Sequence, residues 1–504
     1  MPTKIPTILT EILEKKAKEP INPNLKRSFP LTPPNLEIFP FILAEIKRAS
    51  PSAGNISTIP NPTELAQSYL EGGANAVSVL CETNYFKGSL EDLSAIKKAN
   101  PTLSLLRKDF LTQIQQIQES YGIGADLVLL IAAVFSNGEN GGFQALQNLY
   151  QKALDLGLTP LIEVHNTEEI LFITPLKAKF IGINSRNLHT FKIDKIAALN
   201  LFGTLKIYNP QSKILFESSI ENSFDGFVVG NVGFDGILCG SYLVRDSNPT
   251  LALQNLRAAL LSGAKASPFY RHFFKLLTHS LGVIKICGMT NLENMLMCAN
   301  KLTQTLEDKY PKDFEKIAAL GFILVKKSKR FLSTQEITIL TQALQEKFPK
   351  ILRIGVVSDD EEEMQEALKL IKSGNLDALQ LHGSSKISFG NQNLKEAHFA
   401  FYQVQNIAQT SDLKPYISPF VLLDSKSTLG GGSGENIPYE TLSELKEKLN
   451  YLCVAGGVGI NNLQKLLQCG AKMLDVNSSL ESQAGIKDES KLQDFLQAFC
   501  KCKQ

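Results

Sequence analysis

Charged residues interrupt apolar segments in the first half of the chain, always at or near the end of a segment. Glu45 and Lys47 close the segment FILAEI, while Lys108 and Glu163 lie at the ends of LSLLRK and PLIEV. Glu45 and Lys47 are two positions apart, so their side chains would point the same way from an extended strand. Ammonium and carboxylate groups that meet in one cleft can donate and remove protons during a reaction. These four residues therefore predict a site of general acid–base chemistry.

The second half has a different set of reactive side chains near the ends of its apolar segments. Cys287 lies in VIKICG, His382 ends LDALQLH and Asp424 lies in PFVLLDS. Arg330 lies in the polar stretch KKSKRFLS, and the glycine-rich loop LGGGSG follows Asp424. Taken singly, Cys287 could be a small buried residue of the apolar core, and His382 could have only a structural role as a hydrogen-bonded side chain. Together they are candidates for a second acid–base site.

Apolar segments of strand length alternate with amphipathic stretches of helical periodicity along the chain. Eight such segments fall in the first half, at 41–46, 76–81, 103–108, 127–134, 160–164, 180–184, 213–218 and 236–240. Eight more fall in the second half, at 283–288, 321–326, 351–357, 376–382, 398–404, 419–425, 451–457 and 473–479. Near-continuous apolar strands separated by helices indicate a parallel sheet covered on its outer face. The predicted fold is α/β, with two consecutive (β/α)8 TIM barrels, and a doubly wound sheet is the alternative.

The predicted domains are a first barrel over 1–264, a linker over 265–282 and a second barrel over 283–504. One segment fits this pattern poorly, because 221–234 has weak helical periodicity. We therefore expect the seventh helix of the first barrel to be short or irregular. The stretch 291–319 between the first two strands of the second barrel is unusually long, and its position relative to the active face stays open.

The carboxyl ends of the strands form one face of such a barrel, and active sites are built there. This arrangement would gather the four charged residues of the first half with two further polar residues that end strands, Asn184 and Ser218. A salt-bridged layer of the barrel is the alternative for any one of these residues taken alone. Buried charge is too costly to accumulate at one rim without a purpose, so the set favours function.

Small residues near the ends of the last two strands of each barrel predict phosphate sites, because they let backbone amides approach an anion. The candidates in the first barrel are Ser219, Gly240 and Ser241. The candidates in the second barrel are Gly456, Gly457, Ser478 and Ser479, together with Gly432 and Ser433 in the glycine-rich loop. A backbone turn would explain small residues at the end of any one strand, but it hardly explains why they recur at the ends of the same two strands in both halves.

Composition and charge exclude several other classes of protein. The 504 residues include 52 Lys plus Arg and 50 Asp plus Glu, and the formal net charge of +2 gives no bulk attraction to nucleic acids or anionic membranes. No apolar run approaches the ~18 residues of a membrane-spanning helix. The N-terminal segment lacks the apolar core and cleavage site of a signal peptide. The eight cysteines are scattered without zinc spacing, apart from an isolated Cys-x-Cys at the tail, so we expect a cytoplasmic chain with reduced thiols.

Five motifs of the first half resemble, in order, the indole-3-glycerol phosphate synthase family: AEIKRASPSAG, NYFKGSLEDL, LLRKDF, LIEVHN and GINSRNL. The resemblance implies that a carboxyphenylamino-deoxyribulose phosphate is cyclised, decarboxylated and dehydrated to indole-3-glycerol phosphate. It implies Lys108 as the principal acid and Glu163 as the principal base, and leaves the division of work with Lys47 and Glu45 open. The residues that it places in catalysis or substrate binding are Glu45, Lys47, Ser50, Phe86, Lys108, Glu163, Asn184, Arg186 and Ser218. Ser219 stands where the family usually has a glycine.

The second half resembles the phosphoribosylanthranilate isomerase family through KICGMT, QLHG, LLDS followed by GGGSG, and LDVNSSLESQAGIKD. The resemblance implies an Amadori rearrangement, with Asp424 as the acid that opens the ribose ring and Cys287 as the base that removes the proton from C2. It also implies substrate contacts for Arg330 and His382. A thiolate base needs a lowered pKa, for which Arg330 and the loop amides are candidates. Asn291 and Lys329 depart from the family pattern.

The predicted function is therefore a bifunctional tryptophan-biosynthesis enzyme, whose isomerase makes the substrate of its synthase. We expect small phosphorylated sugar–anthranilate substrates, no metal or cofactor, no nucleic-acid or membrane partner, and a monomer. Three alternatives stay open: an isomerase-like barrel that is only a structural or binding partner, a non-catalytic phosphosugar-binding protein, and another phosphate-binding barrel enzyme. The last, such as the histidine-pathway isomerase, would be expected to use paired aspartates in place of Cys287 and Asp424.

Overall fold

The chain contains two closed parallel barrels of eight strands each, which confirms the predicted fold. A computed structural model describes residues 8–51, 54–136, 138–188, 192–382, 387–425 and 436–502. The chain divides into two compact units, Met1–Lys265 and Ala266–Gln504, and each unit holds one barrel. Among the described residues, no helix is both long and apolar enough to cross a membrane.

In the first barrel, each strand pairs with its neighbours in sequence and β8 returns to β1, where Phe41 lies opposite Gly236. The strands are β1 (Phe41–Ile46), β2 (Ala76–Leu80), β3 (Leu105–Lys108), β4 (Leu127–Ile131), β5 (Thr159–Val164), β6 (Phe180–Asn184), β7 (Lys213–Glu217) and β8 (Gly236–Cys239). The helices are α1 (Ile8–Lys16), α2 (Pro62–Glu71), α3 (Leu90–Ala99), α4 (Ile114–Ile123), α5 (Gly142–Asp155), α6 (Thr167–Ile173), α7 (Lys195–Tyr208), α8 (Ser223–Val232), α9 (Ser241–Arg245) and α10 (Pro249–Lys265). The strands end where polar residues take over from the apolar run, so the predicted strands are matched to within a few residues.

The second barrel closes in the same way, with its last strand beside its first. Its strands are β9 (Val283–Ile286), β10 (Ala318–Ile323), β11 (Ile351–Val357), β12 (Ala378–His382), β13 (Phe401–Ile407), β14 (Val421–Ser425), β15 (Leu452–Val454) and β16 (Ala471–Val476). Its helices are α11 (Phe269–Thr278), α12 (Leu292–Leu306), α13 (Thr334–Lys347), α14 (Glu361–Lys372), α15 (Tyr439–Lys446), α16 (Leu463–Gln468) and α17 (Glu489–Cys502). In the described parts of the β12–β13 and β13–β14 connections, short 3-10 turns and a small hairpin stand in place of α-helices.

The seventh helix of the first barrel is regular, and the expectation of a short or irregular one is wrong. Every residue of α8 is buried, so the segment has no polar face and its sequence lacks amphipathic periodicity. α10 covers α8 at close range. A Cβ added at Gly230 would lie 2.2 Å from the Leu260 carbonyl oxygen, and one added at Gly263 would lie 2.0 Å from the Phe227 carbonyl oxygen. The glycines that weaken the helical pattern are therefore the residues that allow the two helices to touch.

Two segments of the second unit differ from the sequence prediction. The strand predicted at 321–326 runs over Ala318–Ile323, because the charged Lys326 and Lys327 belong to the loop that follows it. The long stretch 291–319 therefore leads through α12 into the amino end of β10. The predicted linker contains α11, whose Tyr270 Oη donates to the Phe401 carbonyl oxygen at 2.7 Å. The Phe273 ring also stacks on Phe420 at 4.8 Å, so this helix packs at the amino ends of β13 and β14.

Gly263→Ala tests the contact between α8 and α10. The added methyl group meets a backbone oxygen that no side-chain rotation can move, so we expect the first unit to lose about 1–3 kcal/mol of unfolding free energy. Urea denaturation measures this loss. Ala264→Ser, at the exposed neighbouring position, is the control and should change stability by less than about 0.5 kcal/mol. Equal stability of the two variants would contradict the close approach of the helices.

Candidate active sites on the two barrel rims

The charged residues predicted in the first barrel meet in one open cleft of about 820 Å³ at the carboxyl ends of its strands. Glu45 lies near the end of β1, Glu163 near the end of β5, and Lys108 and Asn184 end β3 and β6. All the predicted site residues of this barrel line the cleft, namely Glu45, Lys47, Ser50, Phe86, Lys108, Glu163, Asn184, Arg186, Ser218, Ser219, Gly240 and Ser241.

Lys108 lies at the centre of this cleft, between carboxylates from two other strands. Its Nζ lies 3.0 Å from Glu217 Oε2 and 3.2 Å from Glu45 Oε2. Lys47 Nζ lies 2.8 Å from the second oxygen of Glu45. Burial opposes the charge of Lys108, but Glu217, Glu45 and Glu163 outweigh it and raise the lysine pKa. Burial would raise the pKa of Glu45, but Lys108 and Lys47 lower it, so this part of the cleft holds an ion network.

Glu163 and Glu217 are neighbouring buried carboxyl groups with opposite pKa shifts. Burial favours the neutral form of both, but contacts from His165, Lys108 and Asn184 lower the pKa of Glu163. For Glu217, burial and the nearby Glu163 charge raise the pKa in spite of Lys108. Glu163 therefore gives up its proton at lower pH than Glu217, a difference that suits separate acid and base roles.

The other walls of the cleft are formed by aromatic rings and by tight backbone turns. The rings of Phe86 and Phe110 lie 6.2 Å apart and form an apolar wall. Ser218 and Ser219 have φ values of +68° and +50°, and the Ser219 hydroxyl lies 2.8 Å from the Ser185 hydroxyl. Gly240 is pressed against Glu45, since an added Cβ would lie 2.5 Å from Glu45 Oε1. Small residues thus bring backbone amides up to the cleft, as an anion site requires.

Sequence reasoning missed Glu217 and His165 as members of this site. Glu217 ends β7 as a charged residue after the apolar run KILF, the same signal that identified Lys108. His165 follows β5 in the motif LIEVHN, and its Nε2 lies 3.2 Å from Glu163 Oε1. Gly182 on β6 leaves the space that Glu217 fills, because an added Cβ would lie 1.8 Å from Glu217 Oε1.

In the second barrel, Cys287 directly follows β9, while His382 and Asp424 lie on β12 and β14. His382 Nε2 lies 3.1 Å from Asp424 Oδ2, and the other Asp424 oxygen accepts the Ser425 backbone N–H at 2.8 Å. A Cβ added at Gly456 would lie 2.4 Å from Asp424 Oδ1, so the loop after β15 closes tightly over this carboxyl group. The geometry joins an imidazole to the carboxyl group that was predicted as the acid.

The surroundings of Cys287 include one cation that was not expected. Arg330, predicted to lower the thiol pKa, interacts electrostatically with Cys287, and its guanidinium forms a bidentate pair with Glu481 at 2.8 and 2.5 Å. Burial raises the pKa of Cys287, and Lys285 is the principal cation that opposes this rise. Lys285 is buried inside the barrel, with its Nζ 2.6 Å from Asp475 Oδ2 and 2.7 Å from Gln380 Oε1. Sequence reasoning missed Lys285 because it lies within an apolar strand rather than at its end.

The predicted phosphate residues of the second barrel lie in the loops after β15 and β16. Gly456 and Gly457 have φ values of +73° and +64°, which favour glycine. Ser478 begins a 3-10 turn, and the Ser479 hydroxyl donates to the Val458 carbonyl oxygen at 2.5 Å, which ties the two loops together. Gly432 and Ser433 lie outside the described residues.

Two TIM barrels in tandem, each with acid–base groups on its carboxyl rim, define the class of this protein. Residues 12–256 match the family model "Indole-3-glycerol phosphate synthase", and residues 297–498 match "N-(5'phosphoribosyl)anthranilate (PRA) isomerase". Over 43% of its length, the chain is 39% identical to an indole-3-glycerol phosphate synthase of Mycolicibacterium gilvum, 76% of which is covered. The chain belongs to the indole-3-glycerol phosphate synthase family, and its second half matches the isomerase family model. The second match includes His382 and Asp424 but begins after Cys287.

Longer relatives have both halves together. The chain is 28% identical, over 92% of its length, to a multifunctional tryptophan biosynthesis protein of Phycomyces blakesleeanus. It spans about three fifths of the multifunctional relatives that it matches, 63% of this one and 59% of that of Schizosaccharomyces pombe. A phosphoribosyl anthranilate isomerase structure from Thermus thermophilus aligns with 43% of this chain and 98% of its own, at 25% identity and a TM-score of 0.35.

Lys285→Met tests the buried ion pair of the second barrel. The substitution leaves Asp475 buried without its cation, so we expect a loss of about 3–5 kcal/mol in the unfolding free energy of this unit. Urea denaturation followed by circular dichroism measures the effect. The double variant Lys285→Met/Asp475→Leu removes both charges and should recover most of the loss. A single variant as stable as the wild type would contradict the pairing.

Proposed function

We propose that the chain catalyses two consecutive steps of tryptophan biosynthesis, with the earlier step in the second barrel. That barrel would isomerise N-(5-phosphoribosyl)anthranilate to 1-(2-carboxyphenylamino)-1-deoxyribulose 5-phosphate. The first barrel would then cyclise and decarboxylate this product to indole-3-glycerol phosphate. The observation that carries the proposal is the cluster around Lys108, whose ammonium lies between Glu45 and Glu217 in a cleft that also holds Glu163.

In the first barrel, the reaction would begin with closure of the new ring. The aromatic wall of Phe86 and Phe110 suits the anthranilate ring, and Ser219, Gly240 and Ser241 suit the phosphate at the opposite end. Lys108 donates a hydrogen bond to the substrate carbonyl oxygen while the ring carbon attacks the carbonyl carbon. An ammonium held in a low-dielectric cleft stabilises the developing negative charge more than one in water does.

Loss of CO2 and of water completes the reaction in the first barrel. The leaving carboxylate is paired with an ammonium, for which Lys47 and Lys108 are both available. The hydroxyl group departs as water after protonation, and Glu163 removes the remaining proton to form the indole ring. Glu217 shares a buried pair with Glu163 and takes up protons more readily, so it supports the separation of acid and base roles.

In the second barrel, Asp424 would protonate the ribose ring oxygen and open the ring to a Schiff base. Cys287 would then remove the proton from C2 of the protonated Schiff base to give an enolamine, and protonation of C1 with loss of the C2 hydroxyl proton gives the ketone. His382 supports this assignment, because its contact with Asp424 orients the carboxyl group. Arg330 and the glycines after β15 are proposed substrate contacts. Neither reaction needs a metal or an organic cofactor on this proposal, and each barrel supplies its own acid and base.

A coupled assay tests the proposal as a whole. Purified chain fed with N-(5-phosphoribosyl)anthranilate should consume its fluorescence and form indole-3-glycerol phosphate, detected by chromatography. If the carboxyphenylamino intermediate accumulates and no indole product forms, only the isomerase activity is present. If the chain converts added intermediate but does not convert N-(5-phosphoribosyl)anthranilate, only the synthase activity is present. No conversion of either substrate would contradict the proposal.

Point variants test whether the two activities belong to the assigned residues. Lys108→Ala should lower synthase kcat/KM by about 10³-fold or more and spare the isomerase, because it removes the central proton donor. Cys287→Ala or Asp424→Asn should do the reverse. Each variant is assayed with both substrates, and circular dichroism controls for folding. If one folded variant lost both activities, the assignment of two separate sites would be wrong.

A further inference from the structure

His165 lies between two carboxylates behind the first cleft. It follows β5 directly, and only 5% of its side chain is exposed. Its Nε2 lies 3.2 Å from Glu163 Oε1, and its Nδ1 lies 3.0 Å from Glu169 Oε2. Glu169 is held in turn, because it accepts the His165 backbone N–H at 2.9 Å and the Asn166 side-chain amide at 2.8 Å. The imidazole therefore has an anionic oxygen at each of its two nitrogens.

This geometry favours a cationic imidazole. Nδ1 lies at hydrogen-bond distance from Glu169, while Nε2 makes an ion-pair contact with Glu163 that lacks hydrogen-bond alignment. A neutral imidazole with its N–H at Nδ1 would turn a lone pair toward the Glu163 oxygen, whereas an imidazolium presents positive charge to both carboxylates. Burial alone would lower the pKa of His165, but Glu163 and Glu169 outweigh it and raise the pKa to about 10.

We propose that His165 is a positioning residue of the synthase, which holds Glu163 in its ionised form from behind the cleft wall. The inference rests on the proposed function, in which Glu163 is the base. Glu163 is also faced by Lys108 from β3, Asn184 from β6 and Glu217 from β7. His165 is the cation on the chain segment of Glu163 itself. With His165 charged, Glu163 ionises at lower pH than Glu217 and stays free to accept a proton.

The charge state of His165 can be measured without any activity. The chain has six histidines, so ¹⁵N-histidine spectra are simple, and His165→Gln identifies the resonance of His165. We expect this ring to remain doubly protonated at pH 8.5, where a histidine with an ordinary pKa near 6.5 is neutral. Glu169→Gln should move its titration toward the ordinary range. A wild-type His165 that titrates near pH 6.5 would overturn the inference.

The pH dependence of the synthase tests the effect on Glu163. A base must be deprotonated to act, so kcat/KM rises as pH passes the pKa of Glu163 in the free enzyme. Loss of a neighbouring cation raises that pKa, and His165→Gln should move the acidic limb upward by roughly one to three pH units. Because the pKa of Glu163 in the wild type is about 2, such a shift places it at roughly 3–5, so the variant should lose up to about tenfold at pH 4 and match the wild type above about pH 7.

The control is His398→Gln, an exposed histidine of the second unit, which should leave the profile unchanged. An activity loss in His165→Gln that is equal at every pH would show a merely structural role and overturn the inference. If the wild type itself has no synthase activity, the proposed function fails, and the histidine titration still decides whether His165 is held as a cation. The two failures are therefore distinguishable.

Discussion

A charged group buried at a barrel rim must be balanced by partners from other strands, and both sites depend on this constraint. Lys108 on β3 is neutralised by Glu45 on β1 and Glu217 on β7, which are far apart in sequence. An isolated buried ammonium would cost several kcal/mol, so the pairs form together or not at all. In the second barrel, Lys285 on β9 and Asp475 on β16 meet under the same constraint.

The same pairing sets the chemical state of each group. Glu163 and Glu217 are both fully buried, so burial alone would raise the pKa of each. His165, Lys108 and Asn184 lower the pKa of Glu163, while the Glu163 charge raises that of Glu217, so the two carboxyl groups ionise at different pH.

Much of this arrangement could be predicted from sequence, because the polar residue that ends an apolar run marks both the end of a strand and a position on the barrel rim. Apolar runs end at Glu45, Lys108 and Asn184, and the same positions line the cleft. The signal failed for Lys285, whose charge lies within a strand and is balanced by Asp475 about 190 residues later. Such a pairing depends on barrel closure, which no local pattern describes. It also failed for α8, because a helix buried on all sides has no amphipathic period.

If each barrel builds a complete acid–base site from its own strands, two inactive variants should complement each other in one solution. Chains with Lys108→Ala and chains with Cys287→Ala are combined in equal amounts and fed N-(5-phosphoribosyl)anthranilate. Neither variant alone should form indole-3-glycerol phosphate, while the mixture should form it after a lag in which the intermediate accumulates. A mixture that forms no product, from variants that are both folded, would show that the two sites are not independent and complete.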